Sequence, residues 1–347
     1  MPNPFIQDHP FLAACRREAV PYTPVWLMRQ AGRYMEDYSR LRAQYGFLEL
    51  CQRPDLAAEI TVTPVERLKV DAAILFADIL LILEPMGVGL EYSKGDGPVI
   101  HRPVRSGKDV DGLKEFDPEK ELSFVYDAVK KTRTALNGRV PLIGFAGAPF
   151  TLASYLIEGS GSRNYIHAKK LYYTAPEAWH RLMQRLSQLI TKYLNCQIKA
   201  GVEAVQLFDS WAGCLTPGDY EQFVLPYTRS IIAGITAGVP VINFSTGTAG
   251  LLKYIRAAGG DVIGLDWRVN LDEGWATVGH DVAVQGNLDP VALFASPREI
   301  RRRVADVLDR AGYRHGHIFN LGHGVLPETP VDHVIAMVDA VHELSAR

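Results

Sequence analysis

Apolar residues recur along the chain in short runs that begin after Pro24, with helical patterns between them. Eight runs have strand length: residues 25–28, 73–77, 142–146, 204–208, 240–244, 262–266, 282–286 and 318–321. Helical patterns occupy 53–69, 176–199, 217–237, 297–310 and 331–345, and Pro54, Pro176, Pro217 and Pro297 stand near helix starts, where a missing N–H costs little. This alternation predicts an α/β fold with a parallel sheet of βα units. Eight such units predict a single-domain (β/α)8 TIM-type barrel over 1–347, with a doubly wound open sheet as the alternative.

Two insertions and an arm decorate this frame. Residues 87–104, GVGLEYSKGDGPVIHRPV, carry short β-like runs around Lys94-Gly95-Asp96-Gly97, which predicts a hairpin on the rim after the second strand. Residues 159–164, GSGSRN, are small and polar and predict a mobile loop near the same rim. Their glycines do not complete a GxGxxG fingerprint, so a dinucleotide site is weakly supported. Residues 1–20 lack the basic start and apolar core of a signal peptide and read as an ordered arm. The most apolar stretch, 72–83, is broken by Asp78 and falls short of the ~20 residues that a bilayer requires, so no membrane span is expected.

Composition narrows the partners. The formal net charge of -2 lacks the basic excess of a general nucleic-acid binder, so any anion site must be a local cluster. With 47% hydrophobic residues the chain can bury a substantial core. Cys15, Cys51, Cys196 and Cys214 are scattered without a CxxC pair, which disfavours a disulfide framework or a structural zinc and fits a reduced, cytoplasmic setting.

Catalytic residues of such barrels collect at the C-terminal ends of the strands. The polar residues falling there are Arg29, Asp78, Asp209, Ser210, Ser245, Asp266, Asn287 and His323, against the alternative that many are caps or turn formers. Asp78 lies between Leu75-Phe76-Ala77 and Ile79-Leu80-Leu81, where an ionised carboxylate is costly unless donors or a cation meet it; the plainer reading is an N-cap. Arg29 and Arg33 sit at the edge of an apolar run, and guanidiniums match carboxylates bidentately. Tyr155 reads on its own as a half-buried helix tyrosine, and Phe208 as part of an apolar wall. Ser210 lacks a G-x-S-x-G elbow and is better suited to substrate hydrogen bonding than to nucleophilic attack. His315 and His317 project to one side of a strand but at its beginning, away from the mouth, which disfavours a metal role. Residues 245–250, STGTAG, precede a helical run and predict an anion site, generically for phosphate.

The stretch 24–34, PVWLMRQAGRY, resembles the N-terminal signature of the uroporphyrinogen decarboxylase family, and 144–159, GFAGAPFTLASYLIEG, resembles its second signature. FADIL around Asp78, QLFDS, VIGLDW, QGNLDP and NLGHG extend the resemblance over nearly the whole chain. The resemblance implies conversion of the four acetate side chains of uroporphyrinogen III to methyls, giving coproporphyrinogen III, with no cofactor, in a homodimer with facing clefts. It implies that Asp78 accepts hydrogen bonds from four pyrrole N–H groups. It places Arg29, Arg33 and Arg42 at carboxylate-contacting positions, along with Gln30, Tyr155, Phe208, Ser210 and His323 at the substrate. Tyr155 is expected to donate to a substrate carboxylate or to Asp78. Arg29 is the leading candidate to handle the proton at the reacting acetate, with pure orientation as the alternative, since a guanidinium is a reluctant acid. Arg40 and Arg53 read as surface charges.

Two other function classes use similar chains. Methyltransferases of the same superfamily architecture need a zinc-type ligand set such as His-x-Cys, and this sequence contains no His-x-Cys. A non-catalytic tetrapyrrole carrier would share the arginines but would not need Asp78.

Overall fold

The apolar runs become a sheet whose order follows the chain. The computed structural model describes residue 6, residues 8–93 and residues 97–347. Its strands are Ala73–Ile74 (β1), Leu90–Ser93 (β2), Gly97–Ile100 (β3), Leu142–Gly147 (β4), Ala204–Asp209 (β5), Val241–Ser245 (β6), Val262–Gly264 (β7), Ala283–Gln285 (β8) and His317–Ile318 (β9). β1 and β4 to β9 form one parallel sheet in that order. β2 and β3 pair antiparallel on the rim; the turn predicted at Lys94 to Asp96 lies outside the described residues, as does the arm at 1–5 and 7.

The expected first strand, 25–28, contributes one bridging residue. Val25 bridges Phe319 in parallel. Phe319 N donates to Pro24 O at 2.8 Å, and Asp71 N donates to Val25 O at 2.7 Å on the other side. Val25 thereby joins the β9 end of the sheet to the β1 end and closes the ring. Beyond it the ladder stops because side-chain amides take the backbone donors: Leu27 N reaches Gln30 Oε1 at 3.2 Å and Met28 N reaches Asn320 Oδ1 at 3.3 Å. The runs at 73–77, 262–266, 282–286 and 318–321 also pair over fewer residues than their apolar length, whereas β4 and β5 each extend one residue past their run and β6 matches its run in length.

Side chains alternate across each strand. Inward positions Ile143, Ala204, Ile242, Phe244, Val262, Ala283 and Ile318 form the barrel interior with Trp26 and Met28, and the helix Pro10–Cys15 packs Phe11 and Leu12 into the same cluster. Within the barrel, Trp26 Nε1 donates to Gln285 Oε1 at 2.9 Å and Gln285 Nε2 to Gln206 Oε1 at 3.1 Å. Outward positions meet the helices, including Pro54–Leu68, Pro176–Ala200, Pro297–Ala311 and Val331–Ser345, which match the predicted 53–69, 176–199, 297–310 and 331–345 closely. The predicted helix 217–237 is instead two, Pro217–Phe223 and Leu225–Ala233. Between them Val224 leaves the helical region at φ -128 and ψ -52, and Pro226 falls in the first turn of the second helix, where its missing N–H costs little.

At the N-terminal end of the barrel the Asp71 carboxylate accepts from Tyr22 Oη at 2.9 Å and Val25 N at 2.8 Å and meets His342 Nε2 at 2.8 Å. Asp71 is buried and ties the ring closure to the C-terminal helix. Replacing Asp71 by Ala strands the Val25 N–H and Tyr22 hydroxyl, so Asp71→Ala is expected to lower unfolding free energy by about 3 kcal/mol, read by urea denaturation.

Candidate active site

Immediately after the ring closes, the chain turns through Arg29 in the left-handed region at φ 58. A non-glycine residue rarely adopts this conformation, and it persists only where surroundings impose it. One such constraint is Gly324 of NLGHG: a Cβ there would lie 2.5 Å from Arg29 Cδ, so only glycine lets the arginine stem lie against this loop. Gly322 plays the same part against the backbone of Asp266 and Trp267. The two glycines beside His323 therefore bring the last strand's loop against two neighbours. Arg29 is exposed and makes no hydrogen bond among the described residues, and its charge is felt at Asp78, Tyr155 and His323. Arg29 thus lies within electrostatic reach of all three.

Asp78 follows β1 and precedes the 3-10 helix Leu81–Met86. Its Oδ1 accepts from Leu80 N at 2.8 Å, a local turn contact of the capping kind, and from the Tyr92 hydroxyl on β2. Among the described residues no hydrogen bond reaches Oδ2. Burial pushes the carboxyl above its usual range, opposed by Tyr92, by the Leu80 N–H and by the Arg29 charge. The cap reading and the cleft reading thus divide between two oxygens of one carboxylate. Tyr155, expected as a donor to a substrate carboxylate or to Asp78, makes no hydrogen bond to Asp78 among the described residues. Its ring packs beside Trp211 at 5.8 Å, and burial pushes its phenol up to about 12, with the Asp78 charge adding and Trp211 and Arg29 opposing.

The arginine rim spreads from this point. Arg42 donates to Tyr45 O at 2.6 Å and lies 5.8 Å from the Phe47 ring, which packs on Tyr92 at 4.8 Å. Arg33 is exposed, and both cations act on the phenol of Tyr38. Phe208 meets Phe145 and Phe244 edge-on at 5.5 and 5.9 Å, forming an apolar floor. Ser210 follows β5 half-buried, with its hydroxyl unpartnered among the described residues. Gln30 departs from the expectation of a side-chain contact with substrate: it is buried, its amide spans Leu27 N and Ala72 O, and its carbonyl receives the Tyr34 hydroxyl. It braces the turn that carries Arg29.

Several strand-end residues are braces. Asp209 faces away from the barrel, takes the Thr151 hydroxyl at 2.7 Å, and is pushed up to about 6 by burial. Asn287 donates to Asp266 O and Val269 O, and Ser245 pairs with Thr248 at 2.9 Å. The 245–250 loop does receive an anion, but it is the protein's own: Gly247 N donates to Asp266 Oδ2 at 2.5 Å, which answers the phosphate expectation. The same oxygen meets Arg268 Nη1 at 2.6 Å, and the Arg268 guanidinium sits 3.9 Å from the Trp267 ring centroid. Sequence reading passed over Arg268, although its place just beyond β7 is the signal that could have found it. It also passed over Tyr92, which alternates with Leu90 and so shares a face with it.

His323 feels the charges of both Arg29 and Arg268. Burial, then the charges of Arg29 and Arg268, lower it to about 4 against the opposing Asp266, so at neutral pH it offers an uncharged ring. His317 is buried with Nε2 against Gly286 O at 2.9 Å, whereas His315 is exposed beside Arg347. Among the described residues no group of three His, Cys, Asp or Glu side chains is arranged to hold a metal.

Fold and cleft together define a TIM-type barrel enzyme whose mouth sets one half-buried carboxylate among guanidiniums. The family model described as uroporphyrinogen decarboxylase matches residues 7–344. Proteins named uroporphyrinogen decarboxylase from Carboxydothermus hydrogenoformans and from a Roseiflexus species are 56% and 55% identical, covering 97% of this chain and 96% and 98% of their own. A methyltransferase structure from Methanosarcina mazei superposes with a TM-score of 0.82 at 20% identity, covering 96% of this chain and 97% of that chain, which is a likeness of fold. The chain belongs to the uroporphyrinogen decarboxylase family.

Ring NMR of the folded protein is expected to show His323 and His317 protonating near pH 4 instead of 6.5. Because the unfolded chain takes up these protons first, both residues remove stability as pH falls from 6.5 towards 4. Midpoints near 6.5 would show both rings to be solvated.

Proposed function

We propose that this chain decarboxylates the four acetate side chains of uroporphyrinogen III to give coproporphyrinogen III in tetrapyrrole biosynthesis. The observation that carries the reading is Asp78, a carboxylate beyond the end of β1 with one oxygen held by the protein and the other without a hydrogen bond among the described residues. A porphyrinogen domed over it would offer four inward N–H donors. The substrate can serve as its own electron sink: protonation of a pyrrole ring carbon makes an iminium-like cation, and the acetate carboxylate leaves as carbon dioxide with its bonding pair flowing into the ring. The exocyclic methylene then takes a proton and the ring carbon loses one, for a net gain of one proton per carboxylate lost. Asp78 stabilises the charge on the pyrrole nitrogens by fixed electrostatics in a partly desolvated site.

Arg29 sits beside Asp78 and orients the reacting acetate or handles its proton. Arg33 and Arg42 hold peripheral carboxylates, Phe208 supports the macrocycle, and Tyr155, Ser210 and neutral His323 offer hydrogen bonds. The reading takes the chain as one barrel domain, working as a homodimer in a cytoplasmic setting, and requires no cofactor, metal, nucleic acid or membrane.

Anaerobic incubation of the purified, chelator-treated protein with uroporphyrinogen is expected to release four carbon dioxide units stepwise, followed by mass analysis. Activity that returns only with zinc or a corrinoid would overturn the reading. Asp78→Asn retains a cap-competent oxygen but removes the charge, so kcat is expected to fall on the order of 10²-fold. An unchanged kcat would leave Asp78 a turn former. Arg33→Ala and Arg42→Ala are expected to raise KM about ten- to a hundredfold each, the loss of a charge-assisted contact.

A further inference from the structure

The contact between Asp78 and Tyr92 has no counterpart in the signatures, because Tyr92 comes from the rim insertion and not from a barrel strand. Tyr92 lies on β2 and donates its hydroxyl to Asp78 Oδ1, the oxygen already held by Leu80 N. Both protein donors therefore converge on one oxygen. The ring that brings the hydroxyl there is itself fixed, packed 4.8 Å from Phe47, which in turn packs against Phe76 at 5.9 Å and lies near the Arg42 guanidinium.

We propose that Tyr92 is a positioning residue for Asp78: its hydroxyl pins Oδ1 and leaves Oδ2 as the oxygen presented to the pyrrole N–H groups. This role rests on the decarboxylase reading above. A carboxylate without the second donor can rotate about its Cβ–Cγ bond and exchange its oxygens, and fixed acceptors stabilise developing charge better than mobile ones. The titratable and charged groups that act on or feel Asp78 are Arg29 on the turn after the ring closure, Cys51 on Phe47–Gln52, Tyr92, Tyr155 on Pro149–Glu158, and Tyr193 on Pro176–Ala200. Of these, Tyr92 alone makes a side-chain hydrogen bond to the carboxylate among the described residues. Burial and the Asp78 charge push the Tyr92 phenol strongly upward, so it remains a donor throughout the working range. Its hydrogen bond opposes the upward push of burial on Asp78, and removing it lets the carboxyl protonate at higher pH.

The test is Tyr92→Phe, which keeps the ring on Phe47 and deletes the donor. The ¹³C-labelled side-chain carboxyl of Asp78, assigned by its loss in Asp78→Asn, is expected to titrate about one pH unit higher in Tyr92→Phe, a tenfold change in the protonation equilibrium. The acid limb of kcat/KM is expected to move by the same amount, with kcat about tenfold lower at neutral pH. A second variant carries 3-fluorotyrosine at position 92, a stronger donor that preserves the packing, and is expected to move both readings the other way. An Asp78 titration that stays put in both variants overturns the proposal, as does a fluorotyrosine variant without a shift where Tyr92→Phe does not fold. Wild-type protein that fails to decarboxylate refutes the functional reading instead, while the carboxyl titration still decides whether Tyr92 governs Asp78.

Discussion

The barrel is closed by a single residue of backbone pairing. Val25 accepts from Asp71 on one side and bridges Phe319 on the other, and three residues later Arg29 occupies its left-handed turn. Because the closure and the turn are so near in sequence, the guanidinium's position is set by the ring itself. Asp71, gripping Val25 N from below together with Tyr22 and His342, anchors that junction to the C-terminal helix. Gln30 braces it from above.

Around this junction the cleft balances charge by geometry. Arg29 and Arg268 both act on His323, and their shared effect together with burial leaves the imidazole neutral. Arg268 is steadied by the buried carboxylate of Asp266, which also takes Gly247 N and Arg268 N. One carboxylate thus holds a loop, its own strand end and a cation. Asp78 differs from Asp266 in that only its Oδ1 takes hydrogen bonds among the described residues. A buried charge left half-satisfied is costly, and costs of that sort cluster at functional sites.

The helices and strands show where local pattern and tertiary packing agree. The helices at Pro54–Leu68, Pro176–Ala200, Pro297–Ala311 and Val331–Ser345 follow their periodicity and proline starts, because each lays one apolar stripe on the sheet. The remaining one breaks at Val224, with Pro226 in the first turn of its second half, a start signal that the apolar periodicity around it had masked. Strand lengths were less legible: β4 and β5 run a residue past their apolar runs, while β1, β7, β8 and β9 stop short of theirs.

By itself the sequence determined the eight-unit alternation, the helix positions, the two signatures and the pool of polar residues at strand ends. Asp78, Arg29 and His323 belonged to that pool, and the resemblance to the family singled them out within it. Which members of the pool face the cleft was decided only by the tertiary structure. Asp209 and Phe208 are neighbours in sequence and point to opposite sides of β5, so their roles depend on how the sheet curls. Likewise Tyr155 and Tyr92 are equally plain tyrosines in the sequence, and only the folding of the rim insertion over β1 selects Tyr92 as the one that reaches Asp78. A hydrogen bond across an insertion depends on the chain's path in space, and no spacing along the chain encodes that path.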